Sequence, residues 1–151
     1  MRHAPASGKR TIRRKIEWLA PARDLESGKA AVDAGADGVY IGGPKFGARQ
    51  AAGNTLEEVR QLVEYARPFG VKVYAALNTL VYEDELKDAR AAALELIDAG
   101  VDTLIIQDMA FLRMWLDAEF HASTQTTNIS PEHVRFLEEC GFTRVILERG
   151  L

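Results

Sequence analysis

The chain has 151 residues, 47% of them hydrophobic, and a formal net charge of −3. That is enough for one domain with a sizeable core, and it excludes a chain disordered throughout. No apolar run nears the roughly 20 residues of a membrane span, and a single cysteine, Cys140, excludes an internal disulfide and a self-contained four-thiolate metal site.

Residues 1–15 hold six Lys and Arg and no acid, which leaves residues 16–151 at −9 against −3 for the whole chain. They have no apolar segment and do not read as a secretory signal. They read as a separate basic, disordered tail. A phosphate-seeking arm for RNA is the other reading, although the acidic remainder opposes a broad nucleic-acid surface.

Ile16–Ala20 predicts a first strand, ended by Pro21. Asp24 predicts the cap of a helix that stops at Gly35, with Glu26 in its first turn. Gly38–Ile41 predicts the second strand, and a glycine-rich loop with Lys45, Phe46 and Arg49 follows. Thr55 and Glu58 form a capping-box pattern at the start of a second helix, which Pro68 and Gly70 end. Val71–Leu77 predicts a third strand, finishing in Asn78 and Thr79. A third helix is expected over Glu85–Ala99, and a fourth strand over Thr103–Ile106, followed by Gln107 and Asp108. Ala110–Glu119 predicts a fourth helix with Phe111, Met114 and Trp115 on a core-facing side. His121–Gln125 predicts a short, polar fifth strand. Ser130 and Pro131 open a fifth helix that ends at Cys140 and Gly141. Val145–Leu147 predicts the sixth strand, ending in Glu148 and Arg149.

A repeat runs through this pattern. Four helix exits read AGAD-GVYI, FGVK-VYAA, AGVD-TLII and CGFT-RVIL. Gly35, Gly70, Gly100 and Gly141 each sit where a left-handed residue terminates a helix. An apolar residue follows each glycine, placed to pack back on the helix end. The spacings are 35, 30 and 41 residues, the size of one βα unit. Alternating strands and helices with apolar strand cores predict a parallel sheet covered by helices. A doubly wound sheet and a barrel both satisfy this. Polar residues at nearly every strand C-terminus favour a barrel mouth, and the first βα turn lacks the glycine fingerprints of nucleotide folds. The expected fold is an α/β, incomplete TIM-type (β/α) barrel of about six parallel strands, in one domain over residues 16–151. Its outer strands would have open edges that favour self-association.

The stretches LAPARDLESGKAAVDAGADGVYIGG, FGARQAAGN, VKVYAALNTLVYEDEL, GVDTLIIQD, HASTQTTN and GFTRVILER together resemble the collagenase-like peptidase family, the class of unknown catalytic type numbered thirty-two. The resemblance covers about Trp18 to Arg149. It implies the N-terminal part of a (β/α) barrel and, nominally, a hydrolase acting on peptides. Other members resemble hydroxylation factors for tRNA, ribosomal RNA or the ubiquinone ring, and those hold an iron–sulfur cluster on four cysteines. The family signature, a glutamate followed by a cysteine-containing segment, lies beyond the sixth strand. No cofactor is therefore expected in this chain, and an iron–sulfur cluster only in a longer, cysteine-containing form.

The candidate site residues are Arg49, Asn78, Gln107, His121, Ser123, Gln125, Glu148 and Arg149. Arg49 matches the family's FGAR and can hold a carboxylate or phosphate bidentately; it reads equally as solvated loop charge, and for Lys45 the solvated loop charge is the favoured reading. Asn78, Gln107 and Asp108 follow apolar strands and can orient a ligand at a barrel mouth; for Asp108 a cap on the next helix is the favoured reading. His121, Ser123, Thr124 and Gln125 make the fifth strand polar enough to demand partners or a ligand. His121 and Ser123 fall on one side of a strand with no acid placed beside them, so a binding wall is favoured over a serine-protease pair. Glu148 can act as an acid or base, and Arg149 matches the family's arginine after the strand. Cys140 reads as structural. Three functions stay open: a collagenase-like peptidase, part of an iron–sulfur-dependent RNA or ubiquinone hydroxylation factor, and a non-catalytic fragment or scaffold. Cysteine usage points to the cytoplasm, and no membrane partner is expected.

Overall fold

The computed structural model describes residues 16–48 and 53–150. The basic stretch 1–15 and Arg49 lie outside the described residues. The elements run β1 (Leu19–Ala22), α1 (Leu25–Asp33), β2 (Gly38–Gly42), α2 (Leu56–Ala66), β3 (Lys72–Leu77), α3 (Leu86–Asp98), β4 (Thr103–Ile106), β5 (Glu119–Ala122), α4 (Pro131–Cys140) and β6 (Arg144–Val145). All strand pairs are parallel, and the sheet order is β1-β2-β3-β4-β5-β6. A doubly wound sheet needs a reversal of strand order. This sheet has none, so it is the wall of an incomplete barrel with helices on one face.

The repeat has a direct physical reading. Gly35, Gly70, Gly100 and Gly141 take φ of 88°, 68°, 92° and 113°. Their N–H groups donate to the carbonyls of Val32, Arg67, Ile97 and Glu138. The next N–H groups, from Ala36, Val71, Val101 and Phe142, reach back to Ala31, Ala66, Leu96 and Leu137. These paired bonds are the Schellman closure of a helix. One residue further on, Asp37, Asp102 and Thr143 donate to Trp18, Val73 and Phe120 at 2.9, 2.8 and 3.0 Å. Each helix exit thus sets the register of the strand that follows it.

Strand residues alternate between two environments. Val39, Ile41, Val73, Ala75, Leu77, Leu104 and Ile106 are buried toward the helices, where they meet Val59, Leu62, Ala93 and Leu96. Helix α1 approaches α2 through Gly28, where an added Cβ would lie 2.8 Å from both Leu62 methyl carbons. The opposite, concave face carries Tyr74, Thr103 and Glu119 in one row across β3 to β5, and His121 and Arg144 in the next row across β5 and β6.

On that face Glu17, just ahead of β1, meets Arg144 of β6. The two guanidinium nitrogens donate to the two carboxylate oxygens at 3.1 and 2.8 Å. The Tyr74 hydroxyl donates to the same carboxylate at 2.5 Å, and the guanidinium lies 5.9 Å from the Tyr74 ring centroid. The first and last strands are therefore tied across the concavity. Gly38 leaves the room: a Cβ there would stand 3.1 Å from the Glu17 carboxylate and 3.4 Å from the Tyr74 ring. The Arg144 hydrogen bonds hold the Glu17 carboxyl at about 2, well below its ordinary 4.5, with burial opposing. Burial, and then the hydrogen bond to Glu17, push the Tyr74 phenol upward.

Several elements differ from expectation. The fourth helix, expected over Ala110–Glu119, is a 3₁₀ turn over Met109–Arg113. Glu119 and Phe120 pair with Thr103 and Leu104 instead, so β5 takes residues that the helical spacing claimed. Phe111 and Met114 are buried as expected, but Trp115 is 92% exposed with φ of 55°. Strand β5 ends at Ala122, not Gln125, because the Ser123 hydroxyl accepts the Gln125 N–H and starts a 3₁₀ turn. Pro21 lies within β1, which is tolerated because β1 is an edge strand. Strand β6 shrinks to Arg144–Val145.

Two outcomes follow. Gly100→Ala forces a side chain into positive φ, 3.1 Å from Val63, and lowers unfolding free energy by about 1–3 kcal/mol; Gly42→Ala, with open space around it, costs under about 1 kcal/mol in a urea titration. Because the folded Glu17 carboxyl titrates below its unfolded value, its contribution is complete above about pH 4.5 and disappears as pH falls toward about 2. Glu17→Gln costs about 1–3 kcal/mol at neutral pH and flattens the stability profile across that acid window; an unchanged profile would show that the pair contributes nothing.

Candidate functional site at the strand C-terminal ends

The loops that follow β2, β3, β4 and β5 meet at one end of the sheet and are joined by side-chain amides. Asn78, the residue after β3, accepts the Ala48 N–H at 3.0 Å and donates to the Ser123 hydroxyl at 3.3 Å. It thereby links the loop after β2 to the end of β5. The Thr79 hydroxyl donates to the Phe46 carbonyl at 3.1 Å. Gln107, after β4, donates to the Gln125 carbonyl at 3.3 Å. Asp108 accepts the Ala110 N–H at 2.8 Å and the Val81 N–H at 2.9 Å, so it caps its own turn and holds the β3 loop.

Two buried asparagines complete the frame. Asn54 donates to the carbonyls of Arg23 and Gly42, each at 3.1 Å. Asn128 donates to the carbonyls of Ser123 and Ile146, each at 2.8 Å, and so joins β5 to the chain after β6. Neither stood out in the sequence reading. A signal was present: Asn54 and Asn128 lie one and two residues ahead of the helix caps Thr55 and Ser130. An amide at that point reaches the strand-end carbonyls that the sheet leaves open. The concave network of Glu17, Tyr74 and Arg144 also went unnoticed, because its partners are 57 and 127 residues apart.

The structure brings Asn78, Gln107, Ser123 and Gln125 together at the mouth. His121 is one layer deeper, in register with Ile105 and Arg144, and is 2% exposed. Its Nε2 is 3.6 Å from Glu119, and its ring meets Tyr74 edge-on at 5.2 Å. Burial first, and the Arg144 charge second, lower its pKa and favour the neutral imidazole. With Nε2 facing a carboxylate, the proton belongs there. Nδ1 is then a buried acceptor, and it has no partner among the described residues. Glu148 accepts the Arg149 N–H at 2.8 Å, while its own N–H donates to Asn128. Arg149 and Lys45 are exposed.

This arrangement can orient a polar ligand through amides and hydroxyls. It does not join a nucleophile to a base. The Ser123 hydroxyl is engaged by Asn78 and the Gln125 N–H, and His121 turns to Glu119. Among the described residues no group of three His, Cys, Asp or Glu could hold a metal ion. Cys140, half-buried at the end of α4, is one thiolate where an iron–sulfur cluster of the four-cysteine kind needs four. The residues present do not fit that cluster. Among the described residues no helix is long and apolar enough to cross a membrane.

Comparison with known proteins agrees with this architecture. The family model for peptidase family U32 matches residues 23–151. A 23S rRNA 5-hydroxycytidine synthase of Escherichia coli is 44% identical over 138 residues, covering 91% of this chain and 21% of that protein. A tRNA hydroxylation protein of Bacillus subtilis is 38% identical over 148 residues, 95% of this chain and 35% of that protein. A collagenase of Porphyromonas gingivalis is 34% identical over 125 residues, 80% of this chain and 30% of that protein. This chain thus spans between a fifth and about a third of these relatives. Among solved structures, the U32 peptidase Mk0906 superposes with a TM-score of 0.69 at 16% identity, over 97% of this chain and 62% of that one; this likeness concerns the fold alone. The chain belongs to peptidase family U32, as an incomplete parallel (β/α) barrel.

Proposed function

We propose that this chain is the substrate-orienting barrel portion of an RNA-hydroxylating enzyme. The observation that carries the reading is the engagement of Ser123. Its hydroxyl is held by Asn78 and by the Gln125 N–H, so the mouth is equipped to position a polar ring and not to attack a carbonyl. The relatives 44% and 38% identical to it are named for RNA hydroxylation, which supports the same direction. In this reading Asn78 and Gln107 fix the loops around the target base. His121 offers its Nδ1 as an acceptor below them. The redox group is completed by residues of other sequence, since Cys140 is the only cysteine here. The basic stretch 1–15 adds attraction for phosphate, and the reaction takes place in the cytoplasm.

A peptidase is the second reading. It is supported by the 34% identity to a collagenase and would place a peptide across the same mouth.

A graft separates the two. When this chain replaces the matching 138 residues of the Escherichia coli synthase, the hybrid should restore hydroxycytidine to 23S rRNA in cells lacking that enzyme, read by mass spectrometry of nucleosides. Asn78→Ala in the graft should lower the modified fraction about tenfold or more, because displaced loops misplace the base. A hybrid that leaves the RNA unmodified while cleaving gelatin would reverse the assignment in favour of the peptidase.

A further inference from the structure

Beside the mouth, between the loops after β2 and β3, lies a depression of ≈ 520 Å³. It is lined by Lys45, Phe46, Thr79, Leu80 and Tyr82, among others. Its chemistry differs from that of the mouth. Tyr82 and Leu80 are 71% and 61% exposed, so an aromatic ring and an apolar side chain face water on a short loop. Among the described residues no carboxylate lies within ion-pair distance of Lys45. The pocket therefore presents a stacking surface and an unneutralised cation side by side.

The walls are held in place. The Thr79 hydroxyl donates to the Phe46 carbonyl, and Asn78 accepts the Ala48 N–H, so the two loops are tied at the base of the depression. Phe46 has φ of 57°, a conformation costly for a residue with a side chain. The Tyr82 N–H donates to Glu85 at 3.0 Å and the Tyr82 carbonyl accepts the Glu85 N–H at 2.9 Å, which braces the tyrosine and engages the one acid that lines the pocket.

We infer that this depression is a subsite for a nucleotide of single-stranded RNA next to the target base, with its base stacked on Tyr82 and its phosphate on Lys45. Its volume falls in the range of small-ligand sites. Aromatic stacking plus a cation is how single strands are held without reading sequence. A peptide pairs with Lys45 only where it happens to carry a carboxylate, whereas every nucleotide of an RNA strand brings a phosphate beside its base, which is why RNA is the better occupant. The inference rests on the RNA reading above and adds where the strand enters.

The test is fluorescence anisotropy with the full chain and a fluorescein-labelled single-stranded RNA decamer. Tyr82→Ala should weaken binding about fivefold or more, while Tyr82→Phe stays within about twofold, since stacking survives loss of the hydroxyl. Lys45→Ala should lower the slope of log affinity against log salt by about 0.7, one phosphate contact on a single strand. The six basic residues of 1–15 act equally in every variant, so the ratios carry the result. Trp115→Ala, an exposed aromatic in the connection between β4 and β5, should change nothing, and melting curves of all variants should coincide. If the wild-type chain binds the decamer and Tyr82→Ala binds it equally, the subsite is overturned while the RNA reading stands. If the wild-type chain does not bind RNA, both fall.

Discussion

The bidentate pair between Glu17 and Arg144 is the constraint from which the concave face is built. It joins residues 127 positions apart, at the two edges of a six-stranded sheet. A parallel sheet in sequential order has no topological reason to stop curving. A charge pair between its edges sets how far apart they lie on this side. Tyr74 adds a hydroxyl to the carboxylate and a ring beneath the guanidinium. Gly38 supplies the empty volume that the arrangement occupies. Partly buried charges are costly to leave alone, so each member of the group makes the others necessary. Burial first, and the Arg144 charge second, lower the pKa of His121, which packs against Tyr74 at the floor of the mouth, and favour its neutral imidazole.

Above that floor most of the ties are amides, with the Asp108 carboxylate beside them. Asn54, Asn78, Gln107 and Asn128 each tie a loop to a strand end or to another loop. An amide can donate and accept at once. It can therefore bridge two backbone segments without carrying a net charge into a half-buried place. The result is a mouth whose described loop residues are tied in place before any ligand arrives. Preorganisation of this kind suits a site that must hold one ring in one orientation. It also explains why Ser123, which looks like a nucleophile by type, behaves as a turn residue: its hydroxyl is used in the frame.

The outer layer is uneven in the same way. Four strands, β1, β2, β3 and β5, lead into α-helices, but β4 is followed by a 3₁₀ turn alone. Asp108 caps that turn and also anchors the neighbouring loop through Val81. Phe111 and Met114 still cover the sheet from this short connection, while Trp115 is left facing water. The spacing of these three residues matches a helical face, but Trp115 takes positive φ and leaves the helix path. Pairing of Glu119 and Phe120 with β4 adds ladder hydrogen bonds that a longer helix would have forfeited.

Local chemistry was legible in the residues themselves. Gly35, Gly70, Gly100 and Gly141 end helices because a left-handed residue without a Cβ closes the carbonyls cheaply. Asp24, Thr55 and Ser130 begin them because a short side-chain oxygen reaches an open N–H. The number of strands, their parallel sense and the polar strand ends follow from such signals, which act over a few residues. What the tertiary structure alone decided is which side chains meet. Nothing near Glu17 in sequence announces Arg144, and nothing near His121 indicates that it sits below the mouth and not in it. Those facts depend on the stagger and curvature of the sheet, and they arise only when six strands are laid side by side and distant charges must find partners away from water.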